Sequence, residues 1–146
     1  MMNLKASYAY RIGAVYIWIG LIIAISFMEA WLKFQAPGIT LALGLGIGKL
    51  VFHALNYMEC VLLLIVLLHI VYTKEGLLYK SNCFIIIIAF LLLLQTFWLL
   101  PALDSNAQII IAGKDPPGSL LHYLYVGFEM IKTGCLFLYG RKQLYP

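Results

Sequence analysis

Residues 83–94 read Cys-Phe-Ile-Ile-Ile-Ile-Ala-Phe-Leu-Leu-Leu-Leu, an apolar run with no charged residue in it. Such an unbroken run is typical of a helix in lipid, because the strands of a membrane β-barrel alternate in polarity. The whole chain has the same character: 64% of its 146 residues are hydrophobic, 11% are charged, and the mean hydropathy is +0.96. A soluble domain carries about 25% charged residues. The sequence therefore predicts an all-α, polytopic membrane protein.

Four segments are long enough to cross a bilayer, which takes about 20 apolar residues. We expect a single transmembrane domain, 1–146, folded as a four-transmembrane-helix bundle with spans at about 12–31, 50–72, 83–100 and 120–140. Pro101 is expected to end the third span, because proline lacks the amide hydrogen that a continuing helix needs.

The first outer loop, 34–49, is expected to be structured. A straight helix over residues 39–72 would be about 50 Å long, well beyond the roughly 30 Å hydrocarbon core. We therefore expect the helix to break at Gly44, Gly46 and Gly48, where the backbone packs closely or forms a short interfacial segment.

The second outer loop, 101–119, is also expected to be structured. Asp104 or Ser105 can cap a short helix, which Gly113 closes and Pro116 stops. This helix is expected to lie on the membrane surface, separate from the third span.

The distribution of Lys and Arg predicts the orientation. Six basic residues lie on the side that holds both termini and the loop 73–82, and three lie on the other side. The first set is Lys5, Arg11, Lys74, Lys80, Arg141 and Lys142, and the second is Lys33, Lys49 and Lys114. The excess of basic residues on the first side predicts that both termini lie in the cytoplasm. The net charge of +4 is spread over loops and termini, so it indicates contact with the lipid bilayer and no nucleic-acid partner.

The second and fourth predicted helices share a pattern. The second contains Leu-Val-Phe-His-Ala-Leu-Asn-Tyr-Met-Glu, which ends at Glu59, and the fourth contains Leu-Leu-His-Tyr-Leu-Tyr-Val-Gly-Phe-Glu, which ends at Glu129. Each has a histidine near its outer end, His53 and His122. Two pseudo-repeated helix pairs explain this match, and chance similarity between apolar helices is the alternative.

Ionisable residues inside a membrane usually face the bundle and have a partner there. The candidates for substrate or proton coupling are Glu59, Glu129, Lys132, Asn56 and Tyr125. Lys132 follows Glu129 by three residues on one helix face, and Glu59 is expected at a similar depth. We predict that Lys132 lies inside the bundle and approaches at least one of the two carboxylates. A neutralising ion pair with no further role is the simpler alternative.

His53 and His122 lie at matching depths near the outer ends of their helices. Two such histidines in a four-helix membrane bundle are candidate ligands of haem b, and together with the glutamates they could also hold a metal ion. Polar packing or pore lining is the alternative. The sequence does not identify which cofactor, if any, the protein binds.

Asn-Tyr-Met-Glu at 56–59 resembles the Asn-x-x-Glu motif of the membrane-associated eicosanoid and glutathione metabolism family, whose members have four helices and a similar length. This resemblance implies a glutathione-using membrane enzyme. The family places arginine just before the asparagine, where this chain has Leu55, and proline soon after the glutamate, where this chain has none.

Three further segments resemble a group of small, uncharacterised bacterial four-helix membrane proteins. They are Met-Glu-Ala-Trp-Leu-Lys-Phe-Gln-Ala-Pro-Gly-Ile at 28–39, Gly-Lys-Leu-Val-Phe at 48–52, and the helix of His122. This group is loosely similar to the family of the human transmembrane protein tied to cisplatin resistance. The resemblance implies a multi-pass protein of the bacterial cytoplasmic (inner) membrane and leaves its activity open.

No sequence pattern names a reaction, which favours a function other than catalysis. The leading hypothesis is a transport- or export-related protein with an outward-facing polar cavity. The alternatives are a haem-, quinone- or metal-binding accessory subunit of a respiratory membrane complex, a glutathione-using enzyme, and a structural subunit without chemistry. Assembly as a homo-oligomer or within a larger membrane complex stays open.

Overall fold

A computed structural model describes residues 4–76, 82–114 and 120–144 of the chain, and within these ranges the protein is all-helical. Four long helices are present. Helix α1 consists of the α-helical Leu4–Ile22, the π-helical Ile23–Glu29, the α-helical turn Ala30–Leu32 and the 3₁₀ turn Lys33–Gln35. Helix α2 is Leu41–Tyr72. Helix α3 consists of the α-helical Cys83–Leu94, the π-helical Gln95–Leu99 and the α-helical Leu100–Ile111, and helix α4 is Leu121–Leu144.

The four helices form an up-and-down ring in which α1 and α3 each pack against α2 and α4. The N-terminal end of α1, the C-terminal end of α4 and residues 73–76 and 82 lie at one end of the bundle, called here the terminal end. The opposite end, with residues 36–40 and 112–114, is called the distal end. The all-α prediction is confirmed.

Three of the helices are long and apolar enough to cross a membrane. These segments are Tyr8–Gln35, Leu41–Tyr72 and Cys83–Ile111. Their large apolar side chains are widely exposed on the outer surface of the bundle, as at Ile17, Leu64 and Phe90. This surface suits a lipid solvent, so the structure supports a membrane protein.

The interior has two apolar clusters. The larger one fills the terminal half of the bundle, and its members include Val15, Trp18, Ile22, Val66, Ile70, Ile88, Leu92, Leu136 and Tyr139. The smaller one lies in the distal half and consists of Leu99, Leu100 and Tyr125. Buried polar side chains of all four helices, described below, separate the two clusters.

Helix α2 is unbroken, so the predicted break at its glycines is wrong. Thr40 caps the helix, accepting a hydrogen bond at Oγ1 from the backbone of Leu43 at 3.2 Å. The distal end of α1 packs against this additional length: a Cβ at Gly44 would collide with the Phe34 ring, and one at Gly48 would lie 2.9 Å from the Lys33 ammonium. Glycine thus permits close approach here without ending the helix.

Helix α3 continues past Pro101, so the predicted end of the third span there and the separate surface helix are also wrong. The turn before the proline widens, and the backbone amide of Leu100 donates to the carbonyl of Gln95, five residues earlier. Such a π-helical turn relieves the clash between a proline ring and the preceding turn.

Gly113 closes α3 as predicted, with a φ of 74° that favours glycine. The predicted stop at Pro116, and Lys80 of the orientation argument, lie outside the described residues.

Polar contacts join three segments at the terminal end. The buried Arg11 of α1 forms an ion pair of 2.8 Å with Glu75 and a hydrogen bond with Gln143 of α4. The Tyr8 hydroxyl donates to Glu75 at 3.0 Å. Burial raises the pKa of the Glu75 carboxyl. The hydrogen bond and positive charge of Arg11, together with the hydrogen bond from Tyr8, have the larger effect and hold that pKa below its usual value of 4.5.

Glu75→Gln tests these contacts. A carboxyl whose folded-state pKa is lowered stabilises the fold above its unfolded pKa, and the contribution is lost as the pH falls through the folded pKa. We expect the variant to be less stable than the wild type by about 1 kcal/mol at pH 7, and the difference to close as the pH falls below 4.5. Thermal unfolding in detergent at a series of pH values measures it. A pH-independent difference would contradict the assigned ion pair.

The glycines of α2 give a matched pair of substitutions. Nothing lies within 4 Å of a Cβ placed on Gly46, whereas a Cβ on Gly44 meets the Phe34 ring. Gly46→Ala should stabilise the helix by up to about 1 kcal/mol, and Gly44→Ala should lose this gain because Phe34 must move. Unfolding of both variants in the same detergent distinguishes them, and equal stabilisation would show that Phe34 does not pack against Gly44.

Candidate functional site

A buried ammonium lies between two buried carboxylates at the centre of the bundle. The Nζ atom of Lys132 is 2.6 Å from Oε1 of Glu59 and 3.2 Å from Oε1 of Glu129. None of the three side chains is more than 1% exposed. The prediction that Lys132 lies inside the bundle and approaches a carboxylate is confirmed, and it approaches both. These three residues are called the triad.

Each of the four helices contributes to the hydrogen bonds of the triad. The indole Nε1 of Trp18, on α1, donates to Oε1 of Glu59 on α2 at 2.8 Å. The amide Nε2 of Gln95, on α3, donates to Oε1 of Glu129 on α4 at 2.9 Å. Both bonds are buried, so they stabilise the charged carboxylates where water does not.

The geometry of α4 follows from its sequence. Tyr125, Glu129, Lys132 and Leu136 are spaced by three or four residues, so they share one face, and all four are buried. The hydroxyl of Tyr125 lies beside Glu129 and beside Ser26 of α1. Tyr125, a predicted site residue, therefore borders the triad on its distal side.

Three buried oxygen atoms next to the triad have no hydrogen-bond partner in the described part of the chain. They are Oε2 of Glu129, Oε1 of Gln95 and Oγ of Ser26. The Lys132 ammonium binds Oε1 of Glu129 and not the unpaired Oε2. Buried polar atoms are nearly always satisfied in native proteins, so a group of three without partners is unusual.

Asn56 lies apart from the triad, as far as the described contacts show. Its Nδ2 atom is 3.0 Å from Oγ1 of Thr96, and its Oδ1 atom is 3.2 Å from the same hydroxyl. Thr96 is also 2.8 Å from the backbone carbonyl of Leu92. This predicted site residue therefore joins α2 to α3.

A cleft of about 110 Å³ lies at the distal end. All four helices line it, mainly with apolar side chains such as Phe34, Phe52 and Leu103; its charged and titratable lining residues are Lys33, Lys49, Asp104 and His122. The Asp104 carboxylate is 3.3 Å from Nζ of Lys49 and 2.8 Å from Nε2 of His53.

Lys33 is held firmly in this cleft. Its ammonium pairs with Glu29 at 3.2 Å and lies 5.4 Å and 5.1 Å from the ring centres of Phe34 and Phe52. Its side chain is only 9% exposed. The distal end thus has a cationic group fixed by aromatic rings beside an apolar wall.

The bottom of the cleft lies against the distal apolar cluster. Phe52 and Leu100 line the cleft, and the ring of Phe52 packs on that of Tyr125 with 5.0 Å between centres. Because Tyr125 borders Glu129, this aromatic pair separates the cleft from the triad.

The structure assigns different surroundings to the two predicted histidine ligands. His53 is bound to Asp104, and the exposed His122 lines the cleft. Among the described residues, no three side chains of His, Cys, Asp or Glu form a group that could hold a metal ion. Ligation of haem b or a metal by His53 and His122 stays a prediction.

Two residues of the site were not found from the sequence. Trp18 lies in an apolar run. It is spaced by three, four or seven residues from Arg11, Val15 and Ile22, so it lies on the buried face of α1, where its indole nitrogen is a potential hydrogen-bond donor. The sequence indicates a helix cap at Asp104, but in the structure its carboxylate binds His53 and Lys49.

No protein-family model, curated protein or solved structure matches this chain. The function is therefore inferred from the geometry of the chain itself.

Lys132→Met tests the electrostatics of the triad. Removal of the ammonium leaves two buried carboxylates side by side, so the variant should lose about 3–5 kcal/mol of stability. The triple variant Glu59→Gln, Glu129→Gln, Lys132→Met carries no charge there and should recover most of the loss. Unfolding in mixed micelles with increasing SDS measures both, and a Lys132→Met variant as stable as the wild type would contradict the assigned ion pairs.

Proposed function

We propose that this protein is a small ion-coupled transport protein of the bacterial cytoplasmic membrane, in which the triad is the coupling site and the distal cleft is the outer entrance. The observation that carries this proposal is the fully buried ammonium with its two carboxylates.

A structural role alone explains the triad poorly. Charges buried in a protein lose their hydration, and apolar side chains of similar volume often replace a buried ion pair with no loss of stability. In a bundle surrounded by lipid, ionisable residues usually belong to ion or proton pathways. The triad also retains one unpaired oxygen atom, Oε2 of Glu129, which a group selected only for packing would not need.

The proposal includes α4 as a fourth transmembrane span. At 24 residues this helix is about 36 Å long, enough to cross the hydrocarbon core. Two of its charged residues, Glu129 and Lys132, are buried against other helices, and Arg141 and Lys142 lie in its last turn. Its outer face is apolar, with Met130, Ile131, Phe137 and Leu138 exposed.

An orientation with both termini in the cytoplasm fits the charges. Among the described residues, Arg11, Lys74, Arg141 and Lys142 lie at the terminal end, where the positive-inside rule places basic residues of the cytoplasmic side. The distal end, with the cleft, then faces outward.

Two pseudo-repeated helix pairs are supported by the contacts of the triad. Trp18 of α1 donates to Glu59 of α2, and Gln95 of α3 donates to Glu129 of α4. Both α1 and α3 also carry a π-helical segment, in the distal half of α1 and at the middle of α3. A twofold axis along the bundle would relate these features, with Lys132 breaking the symmetry.

The route from the cleft to the triad is short and closed by side chains. Phe52 and Tyr125 separate the two, and a change in their packing would connect them. On the other side the larger apolar cluster and the Arg11 contacts close the terminal end. The described geometry therefore fits a state whose entrance faces outward.

Electrical measurements on proteoliposomes test the proposal without knowledge of the substrate. Protein in membranes on a solid support is exposed to rapid jumps in the concentration of H⁺, Na⁺, K⁺ or Cl⁻. We expect at least one ion to produce a current above that of protein-free membranes, and Glu59→Gln or Glu129→Gln to lower it by about tenfold or more.

Glu29→Gln provides the matched control. It makes the same substitution on α1, at a residue that pairs with Lys33 and does not contact the triad in the described structure. Because Lys33 lines the proposed entrance and not the triad, the current of this variant is expected to fall far less than that of Glu59→Gln or Glu129→Gln. The proposal fails if no jump produces a current, or if all three glutamine variants behave alike.

A further inference from the structure

Ser26 adjoins Tyr125, and the side chains of Tyr125 and Gln95 both adjoin that of Glu129. Oε2 of Glu129, Oε1 of Gln95 and Oγ of Ser26 are buried without hydrogen-bond partners in the described ranges. The Tyr125 hydroxyl lies beside both Glu129 and Ser26, and Gln95 is bonded to Glu129 through its Nε2. The set consists of one carboxylate, one amide carbonyl and two hydroxyls.

The charge of the triad is not balanced by its own members. Two carboxylates share one ammonium, and their other side-chain donors, Trp18 and Gln95, are neutral. The nearest described cations outside the triad pair elsewhere, Lys33 with Glu29 and Arg11 with Glu75. With both carboxylates ionised, one negative charge remains in a medium of low dielectric, and it favours one additional positive charge.

Backbone geometry distinguishes the same position. Ser26 lies within the π-helical segment of α1, and Gln95 begins that of α3. π-helical turns frequently occur at functional sites, because the wider turn shifts side chains and carbonyl groups from their regular positions. Proline explains the segment in α3, but no proline accompanies the one in α1.

We infer that Ser26, Gln95, Tyr125 and Glu129 form a binding site for a monovalent cation of the size of Na⁺. The site deepens, and rests on, the proposed transport function by naming the coupling ion. Hard cations bind oxygen ligands, and transporters hold Na⁺ where helices depart from regular geometry near mid-membrane. A single charge matches the single unbalanced carboxylate.

Other occupants fit the site less well. A divalent ion would overbalance the charge beside the Lys132 ammonium, and the described residues hold no group of three metal-binding side chains. A proton would satisfy one oxygen of Glu129 but would leave Gln95 and Ser26 unpaired unless water joined them. A water molecule would satisfy the hydrogen bonds and leave the charge unbalanced.

Ser26→Ala is the decisive variant. Its hydroxyl adjoins that of Tyr125 but makes no hydrogen bond of ordinary geometry in the described ranges, so replacing it with a methyl group should cost the Na⁺-free protein little stability. Unfolding in detergent is measured at constant ionic strength, with NaCl exchanged for choline chloride. We expect Na⁺ to raise the Tm of the wild type by about 5 °C in a saturable way. The variant should need about tenfold more Na⁺ for the same rise.

Glu129→Gln should abolish the Na⁺ response, and Thr133→Val serves as the matched control. This substitution also removes a hydroxyl, on α4, but the hydroxyl of Thr133 already donates a hydrogen bond to the backbone carbonyl of Glu129 at 2.8 Å. The Na⁺ response should therefore persist. Direct binding of radioactive ²²Na⁺ to the purified protein should give one saturable site per chain.

The inference fails if Na⁺ and choline give the same Tm, if Li⁺, Na⁺ and K⁺ act alike as general salts, or if Ser26→Ala retains the wild-type response. These results are independent of the transport measurement. A protein that carries current but binds no Na⁺ supports transport and overturns this site. A protein that binds Na⁺ but carries no current supports the site and overturns transport.

Discussion

The ammonium of Lys132, bound between Glu59 and Glu129, is the interaction on which the arrangement of the bundle depends. A charge this deeply buried is tolerated only if its partners are near and correctly oriented, because lipid and apolar side chains cannot replace water. The requirement sets the rotation of α2 and α4 about their axes. It extends to α1 and α3, since the carboxylates also need the donors Trp18 and Gln95. Apolar packing alone permits many rotations of lipid-embedded helices, and the triad selects one.

The irregular parts of the helices lie beside this polar centre or around the cleft above it. The two π-helical segments carry Ser26 and Gln95 next to the triad, and the first leads into the distal end of α1 that packs on Gly44 and Gly48 of α2. The terminal half, in contrast, is regular α-helix packed around the larger apolar cluster. Regular α-helix in one half and π-helical segments nearer the other end make the two ends of the bundle different.

The sequence predicted the helical class and the approach of Lys132 to the carboxylates, because hydropathy and helical spacing are local properties that survive in any packing. The sequence-based predictions were wrong where the local structure depends on surrounding residues. The glycines of α2 suggested a break, but Phe34 and Lys33 occupy the space they leave. Pro101 suggested an end, but a widened turn accommodates its ring. The contact of Trp18 with Glu59 requires the register between α1 and α2, which neither helix encodes alone.

With both carboxylates ionised, the triad has one net negative charge, and cation binding there would depend on the membrane voltage. In the proposed topology the triad lies well inside the bilayer, so an ion that reaches it from outside crosses part of the membrane voltage. A full crossing at 100 mV corresponds to about 2.3 kcal/mol per elementary charge, and a half crossing to about 1 kcal/mol. With the cell interior negative, this field draws cations inward and favours occupancy in an energised cell over a depolarised one. Under the proposed function, the depth of one lysine and two glutamates along the helix axis would set how strongly cation binding responds to the energy state of the cell.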